Sequence, residues 1–287
     1  MKSLYDISAP AKLNLFLHIT GRRSDGYHLL QSVFMLIDWC DTLHFDVRGD
    51  GNISREDLGP PLPADDLIIR AARALKAASN SPLGVHIGIE KRIPAQAGMG
   101  GGSSDAASTL LALNHLWKLN FSLQKLSQIG LALGADVPFF LGGHNAWVEG
   151  IGEKMTPVSL PPGQFLVVKP DEGLETKLIF SDPDLKRDSE TAILTGFAAD
   201  AFDFGQNDLQ SVAERLCPSV TQAINWLDEL GLKGRMTGSG SAVFAHVLQH
   251  TDLQSVPDAF QVRLCNRLDF HPLVGWASSD RLSVGNF

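Results

Sequence analysis

An α+β fold in two domains is predicted for this chain by three features of its sequence. Apolar residues recur at a spacing of two in some segments and at helical spacing in others. These segments alternate without the strict strand–helix–strand repetition of a parallel α/β sheet. A linker-like stretch, Pro157 to Gly163 (PVSLPPG), divides the 287 residues into two lengths that each suit one domain, 1–156 and 164–287. With 44% apolar and 20% charged residues, both halves can bury a core.

The first half opens with Ala11, Leu13, Leu15, Leu17 and Ile19 alternating with Lys12, Asn14, Phe16 and His18, the pattern of a half-buried strand. Lys12 and Asn14 therefore share a face. Thr20 to His28 (TGRRSDGYH) is rich in turn formers, and Leu29 to Ile37 and Thr42 to Val47 read as strands. Leu67, Arg70, Ala71, Ala74, Leu75 and Ala78 keep helical spacing, which predicts a helix over about Asp66 to Ala78. Val85, Ile87 and Ile89 form a strand that runs through Lys91 into a glycine cluster. Behind it, Ala106, Ala107, Leu110, Leu111 and Leu113 stripe a helix that Ser103 or Ser104 is placed to cap. A further helix is expected from Ser122 to near Gly134 and a strand at Asn145 to Glu149. The second half predicts a strand at Phe165 to Lys169, helices at Leu209 to Leu216 and Val220 to Leu230, and a strand at Ala242 to Val247. A helix at Asp258 to Leu268 and a last strand at Leu273 to Trp276 complete it.

Charge narrows the partners. The net charge of −8 argues against nucleic acid or an anionic membrane, since both call for a basic face, and favours a small-molecule substrate. The N-terminus carries no apolar signal-peptide core and no run approaches a membrane span, so a cytoplasmic protein is expected. Cys40, Cys217 and Cys265 are widely spaced and read as buried free thiols, and the nine His show no metal-ligand spacing.

Of the 27 glycines, four fall within Gly98 to Gly102, inside Pro94-Ala95-Gln96-Ala97-Gly98-Met99-Gly100-Gly101-Gly102-Ser103-Ser104. Strand, glycine loop and helix N-terminus together make a phosphate cradle, because backbone N–H groups and the helix dipole meet an anion there. The dipole alone contributes about 0.3–1 kcal/mol, so several N–H bonds must act together. The run is not a Walker loop, and Ser103 stands where a dinucleotide fingerprint needs its last Gly. Read locally, it also fits an ordinary connector before a capped helix.

Ala9-Pro10-Ala11-Lys12-Leu13-Asn14-Leu15, the Pro94 to Ser104 loop, and Thr237-Gly238-Ser239-Gly240-Ser241-Ala242 resemble, in order, the three motifs of the GHMP kinases. Within that family AKLNLFL (Ala11 to Leu17), Gly26-Tyr27-His28, Gly134-Ala135-Asp136-Val137-Pro138 and Phe180-Ser181-Asp182-Pro183 are similar to members that phosphorylate a cytidine diphosphate sugar alcohol in isoprenoid synthesis. The resemblance implies an N-terminal domain like domain 2 of ribosomal protein S5, a ferredoxin-like C-terminal domain and a site between them. It implies ATP as phosphoryl donor, Mg²⁺, and a monomer or weak homodimer. It carries Lys12 and Asp136 as the catalytic pair, Pro94 to Ser104 with Lys91 and Asp66 as ATP contacts, and Tyr27, His28 and Phe180 as the cytosine site. Asn14, Thr176, Gly238 and Gly240 are implied as further substrate contacts.

The residue chemistry agrees with those roles. A carboxylate such as Asp136 can take the proton of an attacking alcohol, and an ammonium such as Lys12 can neutralise the transferring phosphoryl. Read locally, Asp136 equally fits a turn acid before a proline-started helix, and Lys12 an exposed strand residue. Tyr27 and Phe180 suit stacking on a base, and His28 can bond its edge; a core aromatic and a structural histidine are the plain alternatives. Asp66 departs from the family, which commonly has Asn there, and so lacks an amide donor. Another GHMP kinase, of homoserine or mevalonate type, would have no use for the Tyr27, His28 and Phe180 set. A nucleotide-binding protein without turnover would need neither Lys12 nor Asp136.

Overall fold

The computed structural model describes residues 2–248 and 256–278. In chain order its elements are β1 (Ser3–Arg22), β2 (His28–Arg48), β3 (Ile53–Asp57), α1 (Leu67–Ser79), β4 (Gly84–Glu90), α2 (Gly101–Leu116), α3 (Leu123–Leu131), α4 (Val137–Gly142), β5 (Ala146–Gly150) and β6 (Lys154–Pro157). There follow β7 (Gln164–Pro170), α5 (Thr176–Ser181), α6 (Leu194–Ala199), α7 (Gln210–Leu216), α8 (Pro218–Glu229), β8 (Arg235–Met236), β9 (Val243–Val247) and β10 (Phe260–Asn266).

The first sheet is built around β2. One edge of β2 pairs along its length with β1, while the other pairs with β5 near its start and with β4 near its end. β3 runs parallel to β4 and is joined to it through α1, and β6 pairs with β5. The strands predicted at Leu29 to Ile37 and Thr42 to Val47 are thus two stretches of one strand. The second sheet is antiparallel in the order β10-β7-β9-β8.

Three apolar layers hold these elements. α1, α2 and α4 pack on one face of the first sheet through Leu75, Leu110, Phe139 and Phe45. The other face meets the second sheet through Ala11, Leu13, Leu15 and Met35 against Phe165, Val167 and Phe244. Leu166 and Val168, the alternate residues of β7, face α7 and α8. β1 is consequently buried on both faces around Lys12 and Asn14, which places two polar side chains under the helix layer.

Two expectations at the C-terminal end are corrected. The helix expected at Asp258 to Leu268 is the edge strand β10: Phe260, Val262 and Leu264 repeat with period two, and β7 offers it a ladder from Pro170 to Gln164. The strand expected at Leu273 to Trp276 is a chain of turns closed by Val274 N–H to the His271 carbonyl and Trp276 N–H to the Leu273 carbonyl. Gly275, at φ +84°, takes the chain out of extended geometry. Leu273 is buried against the first sheet's helices. Cys217 and Cys265 are buried as expected, whereas Cys40 is half-buried.

Candidate active site

A cavity of about 900 Å³ opens between the two sheets' loops. Lys12, Asn14 and Asp136 line it, as do Lys91, Asp66 and the loop from Pro94 to Ser103. Thr176, Phe180, Gly238 and Gly240 line it as well. Tyr27, His28 and Ser104 are not among the lining residues.

The glycine loop is fastened on both sides. Lys12 N–H donates to the Met99 carbonyl at 3.0 Å, and Ser241 N–H and Ala242 N–H donate to the Gln96 and Ala97 carbonyls at 3.1 and 3.3 Å. Gly98, at φ +71°, lies so close to the Thr237–Gly240 turn that an added Cβ would stand 2.2 Å from the Thr237 carbonyl oxygen. The helix behind the loop starts at Gly101, earlier than expected. Its N-cap is Gly100 in the left-handed region, with no side-chain cap, so neither Ser103 nor Ser104 serves that role. The first-turn N–H groups of α2 therefore keep their capacity for an anion. The Ser104 hydroxyl is buried and without a partner.

Lys12 and Asp136 meet across this loop. Lys12 Nζ lies 3.7 Å from Asp136 Oδ2, 2.5 Å from Asn14 Oδ1 and 4.8 Å from the centre of the Phe34 ring. Lys12 is 4% exposed, which removes the reading of it as an ordinary surface lysine. Burial pushes its pKa below the usual lysine value, and the Asp136 carboxylate opposes that shift. Asp136 precedes α4 but makes no capping bond with its side chain; its carboxylate looks to Lys12 instead. Asn14 uses its amide internally: Oδ1 accepts from Lys12 and Nδ2 donates to Ser32 Oγ at 2.9 Å, leaving one N–H for a ligand. Its backbone N–H donates to the Thr237 hydroxyl, which ties β1 to the second domain's loop.

Lys91 is enclosed by two acids. Its ammonium donates to Asp41 and, at 2.7 Å, to Asp105 Oδ2. Burial would lower the Lys91 pKa, but the two carboxylates outweigh it and the ammonium is held above its usual value. Burial pushes the Asp105 carboxyl upward against the pull of Lys91. Asp41 stands 50 residues from Lys91 in the chain, so no local pattern announced this cluster. Asp66 caps α1 by accepting from Ile69 N–H at 3.1 Å and pairs with Arg55 at 2.8 Å through the same oxygen.

His28 and Phe180 lie with ring centres 5.2 Å apart and planes tilted by 39°. Tyr27 sits in the β1–β2 turn at 61% exposure and makes no ring contact with Phe180 among the described residues. Thr176 Oγ1 is 2.7 Å from Ser239 Oγ, joining α5 to the Gly238–Gly240 turn. Arg187, which the sequence pattern did not single out, donates Nε–H to His28 Nε2 at 3.1 Å. No helix among the described residues is long and apolar enough to cross a membrane, and no group of three or more His, Cys, Asp or Glu is arranged to hold a metal.

Comparison with known proteins accords with this arrangement. The family models for the GHMP kinases N terminal domain and the GHMP kinases C terminal match residues 66–144 and 190–263. The chain is 82% identical over 286 residues to the 4-diphosphocytidyl-2-C-methyl-D-erythritol kinase of Albidiferax ferrireducens, covering 100% of both. It is 65% identical over 280 residues to the Acidovorax sp. enzyme of the same name, covering 96% of this chain and 99% of that one. A crystal structure of 4-(cytidine 5'-diphospho)-2C-methyl-D-erythritol kinase superposes with a TM-score of 0.76 at 32% identity, over 91% of this chain and 98% of that one. Homoserine kinase from Cytophaga hutchinsonii superposes with a TM-score of 0.69 at 13% identity, over 94% and 96%, a likeness of fold alone.

Proposed function

The chain belongs to the GHMP kinase family, and from that premise we propose that it transfers the γ-phosphoryl group of ATP to the 2-hydroxyl of 4-diphosphocytidyl-2-C-methyl-D-erythritol. The observation that carries this reading is one cavity lined by the glycine loop, by the Lys12–Asp136 pair and by Phe180, whose ring packs beside His28. Its volume of about 900 Å³ is at the upper end of small-molecule sites, as two nucleotide-sized ligands require.

The reaction is an in-line displacement. The alcohol oxygen forms a bond to the γ-phosphorus, the bond from that phosphorus to the bridging oxygen breaks, and ADP leaves. Asp136 accepts the alcohol proton as the new bond forms. Lys12, aimed by Asn14 and the Phe34 ring and itself almost fully buried, offsets charge on the transferring oxygens, a contact worth more there than in water. The N–H groups of the glycine loop and of the first turn of α2 hold the β- and γ-phosphates.

Mg²⁺ would enter on the phosphates of ATP, since this ion keeps much of its water and takes few protein ligands. The orphaned Ser104 hydroxyl in the first turn of α2 is buried and does not line the cavity, so phosphate oxygens and water would supply most of the ion's ligands. When bound, the ion spreads the negative charge of the phosphates.

Purified protein with Mg-ATP should release ADP when given 4-diphosphocytidyl-2-C-methyl-D-erythritol and not when given homoserine or mevalonate. Equal turnover of homoserine would overturn the substrate assignment.

A further inference from the structure

The Arg187 guanidinium is locked before it reaches His28. Nη1 donates to the Leu185 carbonyl at 2.9 Å and to the Pro183 carbonyl at 3.3 Å, and Nη2 to the Asp182 carbonyl at 2.6 Å. That loop is fixed in turn by Arg215, whose Nη2 lies 2.5 Å from Asp182 Oδ2. The Arg187 Nε–H points at His28 Nε2 at 3.1 Å. A guanidinium only donates and does not lose its proton in proteins. The imidazole nitrogen facing it must therefore accept, so the proton of the neutral ring is on Nδ1. Among the described residues Nδ1 has no hydrogen-bond partner. Burial and the positive charges of Arg187 and Arg22 hold the His28 pKa below its usual value, which keeps the ring neutral.

We infer that Arg187 is a positioning residue that fixes His28 as its Nδ1–H tautomer and thereby makes the site select cytosine over uracil. Cytosine presents an acceptor at N3 beside its O2 acceptor, so an Nδ1–H meets a lone pair. Uracil carries N3–H and sets donor against donor. A histidine free to exchange tautomers could turn an acceptor to uracil and would discriminate little. The inference rests on the proposed function, in that the base is taken to stack beside Phe180, and it adds the group that decides which pyrimidine is accepted.

Nitrogen NMR of the full chain reads the tautomer directly: His28 Nδ1 should be pyrrole-like and Nε2 pyridine-like near neutral pH. Kinetics with the cytidine substrate and its uridine analogue read the consequence. Arg187→Met should lower the cytidine-to-uridine ratio of kcat/KM by about tenfold, the scale of one hydrogen bond made or opposed, with KM changing more than kcat. Arg187→Lys, which keeps a donor, should retain part of the preference. A thermal melt of each variant separates this effect from loss of the fold. A wild-type His28 protonated on Nε2 would overturn the inference without any variant, as would an unchanged ratio in a folded Arg187→Met protein. If the wild-type chain turned over neither substrate, the proposed function would fail instead, and the tautomer would still be read from the spectrum.

Discussion

Gly98→Ala tests whether the phosphate loop works only while pressed against the second domain. Gly98 has φ +71°, and an alanine Cβ there would lie 2.2 Å from the Thr237 carbonyl oxygen and 2.9 Å from the Gly240 nitrogen. Both are backbone atoms, so no side chain can swing away. Gly231, just beyond α8, supplies the control, because it has φ +73° with nothing within 4 Å of an added Cβ. Gly231→Ala should cost only the left-handed strain, about 1–2 kcal/mol. Gly98→Ala should add the displacement of packed backbone, about 1–3 kcal/mol more. At about 2–4 °C per kcal/mol for chains of this size, the Gly98 variant should melt about 2–12 °C below the Gly231 variant. Parting the two loops also moves the N–H groups that face the phosphates, so KM for ATP should rise in the Gly98 variant and hold in the control. Thermal melts and steady-state kinetics of both proteins decide it. Equal melting temperatures with unchanged KM for ATP would refute the close packing as a determinant of the site.

Asp136→Asn should keep KM for ATP near the wild-type value while lowering kcat at least about a hundredfold, the lower bound of a positioned general base. A fully active Asn variant, measured by ADP release, would remove Asp136 from the proton transfer. His271 carries a pH prediction: burial pushes its pKa down to about 3 from 6.5, so the fold holds it neutral. Its contribution is present above pH 6.5 and is lost as pH falls toward the folded value, because the unfolded chain takes up the proton first. By pH 5 the loss should reach roughly 2 kcal/mol. His271→Gln should therefore flatten the fall in melting temperature between pH 7 and pH 5, and an identical slope would show that His271 is not the group responsible.

What could be read from the sequence was what the chain states locally. Lys12 and Asn14 share a face because a strand alternates, and the structure joins their side chains at 2.5 Å. The glycine loop between a strand and a helix was legible because conformational freedom and helix polarity are properties of a short segment. β10 was mistaken because a seven-residue run with both apolar and polar members fits two periods, and the ladder offered by β7 decided between them. The start of α2 was mistaken because Ser103 and Ser104 have the right chemistry to cap while Gly100 has the backbone geometry that does so.

Contacts across long stretches of chain left no such trace, and they change the electrostatics of the site. The family resemblance implies Lys91 as an ATP contact, yet the fold sets it between Asp41 and Asp105. Two carboxylates around one ammonium cancel the attraction Lys91 would exert at a distance. In a chain of net charge −8, the pull on two polyanionic ligands then falls to Lys12, to the exposed Lys177 on the cavity wall and to the N–H groups of the glycine loop and α2. Lys12 itself lies 3.7 Å from Asp136. At the glycine loop the attraction is therefore short in range and directional, strongest where backbone donors meet a phosphate already seated there, while Lys177 supplies the part that ionic strength screens.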